Sequence, residues 1–262
     1  MEETPNWLEM PDDLMANILQ RLHTGEILSS ARKVCTTWRR ICKNPEMWKV
    51  IVMHNPVDHY ADHYNLERLT EQVVDLSCGE LIDISIEGFG TDELLDHIAS
   101  RSCKLKRLSL TSCYDMTRSG LIQAVKRVPQ LEELSITKFF ISTVDMEAIG
   151  QNCPQLKSLT VDTGSFGLAD YDDGYALAIA NNMPQLRCLQ FFDRDMTNNG
   201  LQAIINGCPH LESLYIRMCH GIDMVWNLRK LSKILSLIFM FEYNEGYKIF
   251  SSDMDSYSDY DD

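Results

Sequence analysis

Five side chains able to ligate a metal crowd one short stretch of this chain: His54, Asp58, His59, Asp62 and His63. His59 and His63 stand four apart, the spacing at which two imidazoles share a helix face and can hold one ion. Pro56 and the polar composition around it speak instead for a linker, and no metal is expected. The nine cysteines (35, 42, 78, 103, 113, 153, 188, 208 and 219) include no pair at C-x-x-C spacing, so a zinc site is poorly supported. Cys103, Cys153 and Cys208 each precede an apolar phrase by two or three residues and read as small buried hydrophobes. Gly88-Phe-Gly90 begins a dinucleotide fingerprint, but Glu93 stands where the third glycine belongs. Gly164-Ser165 lacks the nucleophile-elbow pattern, and no P-loop occurs. Arg32-Lys33 and Arg39-Arg40 lie seven apart on an amphipathic helix, a pattern of protein interfaces and solvated faces rather than of nucleic-acid readers. No constellation for catalysis emerges, and function is expected in surfaces.

Bulk properties agree. At 262 residues and 45% apolar, the chain can bury a substantial core. A net charge of −14 opposes generic attraction to nucleic acid or anionic lipid. The start is acidic (Glu2, Glu3) with no apolar leader, and the longest apolar run, 234–241, is too short to span a bilayer. The odd cysteine count without a leader argues against a disulfide framework. A cytoplasmic or nuclear protein is expected.

The elements that must position any surface are repeats. Six phrases of the form L-x-x-L-x-L begin at Leu81, Leu105, Leu131, Leu156, Leu186 and Leu211, with spacings of 24, 26, 25, 30 and 25 residues. Leucine-rich repeats have this period. Within a phrase the fourth and sixth residues alternate with polar ones, the signature of a half-buried strand. Between phrases the period becomes helical, as in Leu121, Ile122, Val125 and Val128, or Leu201, Ile204 and Ile205. Thr91, Thr117, Thr143 and Thr197 are placed to cap these helices, and the prolines of Cys153-Pro, Met183-Pro and Cys208-Pro to end them. The expected fold class is therefore an α/β repeat: a curved solenoid of about six strand–helix units over residues 66–222, strands lining the concave side.

In such a scaffold the outward strand positions and following loops do the binding. The fifth and sixth repeats present Gln190, Phe192, Tyr215 and Arg217, residue types enriched in binding hot spots. Equally, Phe192 can fold back on the core while Tyr215 serves simply as a strand former. The fourth repeat is lengthened within Asp162-Thr-Gly-Ser-Phe-Gly-Leu-Ala-Asp-Tyr-Asp-Asp-Gly174. That insertion reads either as a contact loop, with Phe166 and Tyr171 among four aspartates facing a basic partner, or as a tolerated solvated loop.

The first fifty residues follow another pattern. Leu14, Ile18 and Leu22 share one face of a helix that starts after Pro11; Gly25 interrupts; a second helix carries Ala31, Val34, Cys35, Trp38 and Ile41 on one stripe, followed by Pro45 and Trp48. This stretch resembles the F-box. The family's L-P-x-x-L, I-L-x-x-L, V-C-x-x-W-R and W-x elements match Met10-Pro-Asp-Asp-Leu14, Ile18-Leu-Gln-Arg-Leu22, Val34-Cys-Thr-Thr-Trp-Arg39 and Trp48-Lys49. The single departure is Met10 in place of Leu. With the C-P-x-L-x-x-L repeats, the whole resembles the F-box/leucine-rich-repeat proteins, and the Trp7-Leu-Glu-Met-Pro start is similar to a compact plant subgroup.

The resemblance implies a non-catalytic substrate receptor of a Skp–cullin–F-box ubiquitin ligase. Met10, Pro11, Leu14, Ile18, Leu22, Val34, Cys35 and Trp38 would contact a Skp-type adaptor, and through it cullin and a RING protein. The repeats would hold the protein to be ubiquitinated, or bind a partner without promoting its degradation. From Leu14 to Lys49 there are seven lysines and arginines against two acidic residues, a local excess of five positive charges suited to an acidic adaptor. Larger members of the family enclose small-molecule cofactors; six repeats make a shallow arc, and none is expected. The boundaries read as F-box 6–52, linker 53–65, repeats 66–222, a C-terminal capping helix 223–245 built on Val225, Leu228, Leu231, Ile234, Leu235 and Ile238, and an acidic disordered tail 246–262.

Overall fold

The computed structural model describes residues 10–55, 63–162, 173–192, 196–217, 236–243 and 246–251. It divides into two compact units, 1–131 and 132–262.

The first unit opens with helices: α1 (Asp12–Leu19), α2 (Thr24–Glu26), a π-helical turn (Ile27–Ala31), α3 (Arg32–Val34), α4 (Thr36–Ile41) and a 3-10 turn (Pro45–Trp48). The single helix expected through Cys35 is broken there. Cys35 is extended (φ −156°, ψ 173°), and its Sγ accepts the Trp38 backbone N–H at 3.5 Å, capping α4. The break turns Val34 outward and Ile41 inward, so the two do not share a stripe. Next come strand β1 (Val50–His54) and helix α5 (His63–Leu76). These correct the expected 53–65 linker: His54 ends a strand, His63 opens a helix, and residues 56–62 lie outside the described ones. Strands β2 (Asp83–Glu87) and β3 (Arg107–Thr111), with helices α6 (Asp92–Arg101) and α7 (Arg118–Arg127), complete this unit. Strand β1 pairs parallel with β2, and β2 with β3.

The sequence of β1 explains its place. Ile51 aligns with Ile84 and Met53 with Ile86, so Trp48-Lys-Val-Ile51-Val-Met53 occupies the same places as the six-residue phrase that starts at Leu81. Trp48, Ile51 and Met53 are as buried as the leucines they replace. The backbone repeats the equivalence. The carbonyl of the phrase's second residue accepts two N–H groups from the next phrase here: Lys49 O from Ile82 and Asp83 (2.9 and 3.1 Å), then Ile82 O from Lys106 and Arg107 (2.8 and 3.0 Å).

The second unit continues with β4 (Glu133–Thr137), α8 (Thr143–Asn152), β5 (Ser158–Asp162), α9 (Gly174–Asn182), β6 (Cys188–Phe192), α10 (Asn198–Gly207), β7 (Ser213–Arg217), β8 (Ser236–Tyr243) and β9 (Gly246–Ser251). Strands β4 to β8 are parallel in chain order, and β9 returns antiparallel to β8. A capping helix over 223–245 is thus overturned for 236–243, and the disordered tail for 246–251; residues 218–235 and 252–262 lie outside the described ones. Leu237 aligns with Leu214 and Phe239 with Ile216, so Ile234-x-x-Leu237-x-Phe239 reads as one more copy of the phrase. Its aromatic and β-branched run favours pleated strand over helix.

Burial follows the phrase throughout: its first, fourth and sixth residues are buried in every described repeat from Leu81 to Ile216. Each such side chain contributes about 1.5–3 kcal/mol. Between units of one stack, caps interlock. Asp92 accepts from the backbone N–H and hydroxyl of Thr117 (2.7 and 2.6 Å), and Asp173 from those of Thr197 (2.8 and 2.7 Å). Thr117 and Thr197 cap α7 and α10 in turn. Thr91 caps α6 as expected, but α8 is capped by Ser142, one residue before Thr143, in a reciprocal box with Asp145. A Cβ on Gly200 would lie 2.3 Å from Asp173 Oδ1, so glycine there makes room for the neighbour's carboxylate.

The cysteine slot at the helix ends is filled by Cys153 and Cys208, both buried. Desolvation pushes their thiols up to about 12 and about 11, which keeps them protonated and unreactive. Cys103 departs from expectation: it is exposed, and Ser102 holds the slot, fully buried with its Oγ unpartnered among the described residues. Ser102→Cys is therefore expected to stabilise the protein by about 1–2 kcal/mol in a urea titration, by removing an orphaned hydroxyl. Gly200→Ala is expected to cost about 1–2 kcal/mol in the same titration, despite alanine's better helix propensity, because Asp173 must leave Thr197.

Candidate functional site

Helix α1 is apolar on two sides, and only one of them is used inside the protein. Met15 and Leu19 are buried at 1% and 0% exposure. Leu14, Ile18 and Leu22 remain 51%, 37% and 38% exposed, with Pro11 exposed at the head of the same stripe. Residues three and four apart lie above one another on a helix, so Leu14 and Ile18 stack on the outward face, with Pro11 just before the helix and Leu22 just after it. At its first turn α1 is held by a fork of two hydrogen bonds from Arg40 to Asp12 (2.6 and 2.9 Å), and at its end by Gln20 Nε2 donating to Glu46 O (3.1 Å). The Asp12–Arg40 pair is solvent-exposed, so it orients the helix more than it stabilises it.

The remaining predicted contacts follow from the break at Cys35. Val34, just before it, is 61% exposed; Cys35 and Trp38 are half-buried, as is Met10 ahead of α1. Of the eight residues expected to meet an adaptor, five face solvent, three are half-buried and none is in the core. The core is built from Met15, Ile27, Leu28 and Ile41, which the motif does not name, together with Leu19 and Trp48, which it does. A second apolar stripe on α1 was the available signal, since a helix apolar on two faces is covered on both. Around this surface, Arg40 and Lys49 are engaged with Asp12 and Glu46, and Arg39 donates to the Arg32 carbonyl.

Trp48 joins this surface to the repeats. Its indole is 1% exposed and donates from Nε1 to the Cys42 carbonyl at 2.9 Å, while its backbone enters the first phrase. Thr24 of α2 is buried beside β1, its Oγ1 3.4 Å from the Val52 backbone N–H. The outer edge of β1 is thereby covered by the helical segment, which blunts an otherwise open sheet edge.

On the strands of the second unit, Gln190 is exposed and aligned with Tyr215. Phe192 and Tyr215 are both half-buried and meet edge to face, ring centroids 5.5 Å apart. Phe192 is thus neither folded into the core nor isolated. Arg217 aligns with Phe192 on the next strand; Phe166 and Tyr171 lie outside the described residues. No group of three or more His, Cys, Asp or Glu side chains able to hold a metal occurs among the described residues, and no described helix is long and apolar enough to cross a membrane.

Comparison with known proteins places these observations. The F-box domain family model matches residues 7–50. In Arabidopsis thaliana, Putative F-box/LRR-repeat protein 23 is 43% identical over 228 residues, covering 86% of this chain and 51% of its own length. F-box protein SKIP19 is 42% identical over 228 residues (87% of this chain, 74% of that protein), and Putative F-box/LRR-repeat protein 9 is 40% identical over 233 residues (87% and 94%). The chain therefore spans about half of the first of these relatives and most of the other two. A chain from the crystal structure of the yeast Rad7 and Elc1 complex aligns over 82% of this chain and 79% of its own at 12% identity, with a TM-score of 0.42, too remote to carry weight. With the family model on its helices and relatives at 40–43% identity matched over 86–87% of it, this chain belongs to the F-box/leucine-rich-repeat family.

Proposed function

We propose that this chain is the substrate-recognition subunit of a Skp–cullin–F-box ubiquitin ligase. F-box domains dock on Skp1-type adaptors, and the single observation that carries the reading here is the outward apolar row Pro11, Leu14, Ile18 and Leu22. An α1 stripe left exposed while Met15 and Leu19 fill the core costs solubility unless a partner covers it. The neighbouring excess of lysine and arginine suits an acidic adaptor and would speed its approach. The repeats would then hold a target protein, and through the adaptor the cullin and RING protein would bring a charged conjugating enzyme to it. The mechanism is proximity: the chain makes no bond with ubiquitin but raises the effective concentration of target lysines at the enzyme.

The test is binding of a purified Skp1-type adaptor to the intact chain and to Pro11→Ala combined with Ile18→Asp, with circular dichroism confirming an unchanged fold. Wild type should bind, and the double variant should lose affinity by about 100-fold or more, as expected for hot-spot residues in a desolvated groove. Failure of the folded wild-type chain to bind any Skp1-type adaptor would contradict the proposal. A bound target that accumulates in cells when the F-box is disabled distinguishes degradation from simple scaffolding.

A further inference from the structure

Two polar ties hold α1 against the rest of the helical segment, one at each end. At the first turn both terminal nitrogens of the Arg40 guanidinium, on α4, donate to the two carboxylate oxygens of Asp12, at 2.6 and 2.9 Å. Just past the last turn Gln20 donates to the Glu46 carbonyl at 3.1 Å. Leu14 and Ile18 lie outward between these ties, while Met15 and Leu19 are buried beneath them.

The fork at Asp12 works against the charge of its surroundings. Residues 14–49 carry a surplus of lysine and arginine that would draw an acidic partner. Asp12, just ahead of that stretch, cancels the charge of Arg40 instead of adding to the attraction. Both side chains are exposed, so the pair contributes little to stability. What remains is geometry. A guanidinium bonded through two N–H groups fixes direction as well as distance, which a lysine ammonium does not.

Direction matters because α1 is short. Its eight residues span about 12 Å, so a tilt of about 10° about the middle moves each end by about 1 Å. Binding constellations must be held to within about 0.5 Å. The apolar contacts of Met15 and Leu19 are non-directional and set no angle by themselves.

We infer that the Asp12–Arg40 fork is a positioning clamp for adaptor binding. It holds α1, with Pro11, Leu14 and Ile18, at a set angle to α4, with Trp38, so that side chains of both helices enter one groove together. The inference rests on the reading of this surface as the adaptor site, and it gives a role to two residues that the family motif does not specify.

The test measures binding of a purified Skp1-type adaptor to the intact chain by biolayer interferometry, with a thermal melt of each variant alongside. Asp12→Asn keeps the size of the side chain but removes the charge that grips Arg40. Losing a clamp can cost binding no more than the clamp is worth, so affinity should fall about two- to fivefold, the range of an exposed ion pair. If Arg40 served only to attract an acidic adaptor, the same substitution would release its charge and tighten binding, the opposite sign. Arg40→Lys, which keeps the charge and loses the fork, should weaken binding to the same extent. The two substitutions together should weaken it no further than either alone. Asp13→Asn, which removes an equal charge from the same turn, should not weaken it. Melting temperatures should stay within about 2 °C of wild type. Unchanged or tighter binding by Asp12→Asn, full binding by Arg40→Lys, additive losses in the double variant, equal weakening by Asp13→Asn, or losses that track melting temperature would each overturn the clamp while leaving the ligase reading in place. Failure of the folded wild-type chain to bind the adaptor would overturn both.

Discussion

The burial of Trp48 is the constraint on which the first unit depends. A helical segment of this size cannot bury its own apolar side chains, and neither can a single strand–helix repeat. Trp48 solves both problems with one residue. Its ring is enclosed and satisfied by the Cys42 carbonyl, while the main chain that follows it becomes the first strand of the parallel sheet. The helical segment and the first repeats fall within one compact unit. Because the core draws on Met15 and Leu19 from one side of α1, the opposite side, with Leu14 and Ile18 of the family motif, remains outward.

The same economy runs through the repeats. Within each unit the second carbonyl of one phrase accepts two amides of the next, and an aspartate at the head of one helix bonds the cap of its neighbour. Stability is thus spread over many equivalent contacts of nearest neighbours, and outward strand positions contribute little to it. That separation leaves Gln190, Phe192 and Tyr215 outside the core while Leu189 and Phe191 stay within it.

Where the sequence was legible, a repeating physical requirement made it so. Six L-x-x-L-x-L phrases needed alternate burial, and their strands formed where the alternation predicted. Two further copies have altered first letters: Trp48 heads one inside a motif of the helical segment, and Ile234 heads the other inside a run whose spacing also fits a helix. Short apolar runs cannot separate strand from helix by periodicity alone, and only pairing with β7 decides for 236–243. The F-box face was legible because Pro11, Leu14, Ile18, Leu22 and Val34 of the family motif face outward; the core behind it was legible only in part, because Met15, Ile27, Leu28 and Ile41 belong to no motif element. The break at Cys35 depends on a backbone conformation that composition does not announce. Ser102 in a cysteine slot became visible only through burial, since Cys103 one residue later draws the eye first.

Native-state hydrogen exchange on Trp48→Phe tests the shared core most directly. The substitution keeps an aromatic ring but removes the hydrogen bond to Cys42. If Trp48 joins the helical segment to the first repeat, amides of α1 and α4 and amides of β1 and β2 should open together in the wild type and accelerate by a common factor of about five to ten in the variant. Acceleration confined to α1 and α4, with β1 and β2 as protected as before, would show two independent bodies and contradict the account.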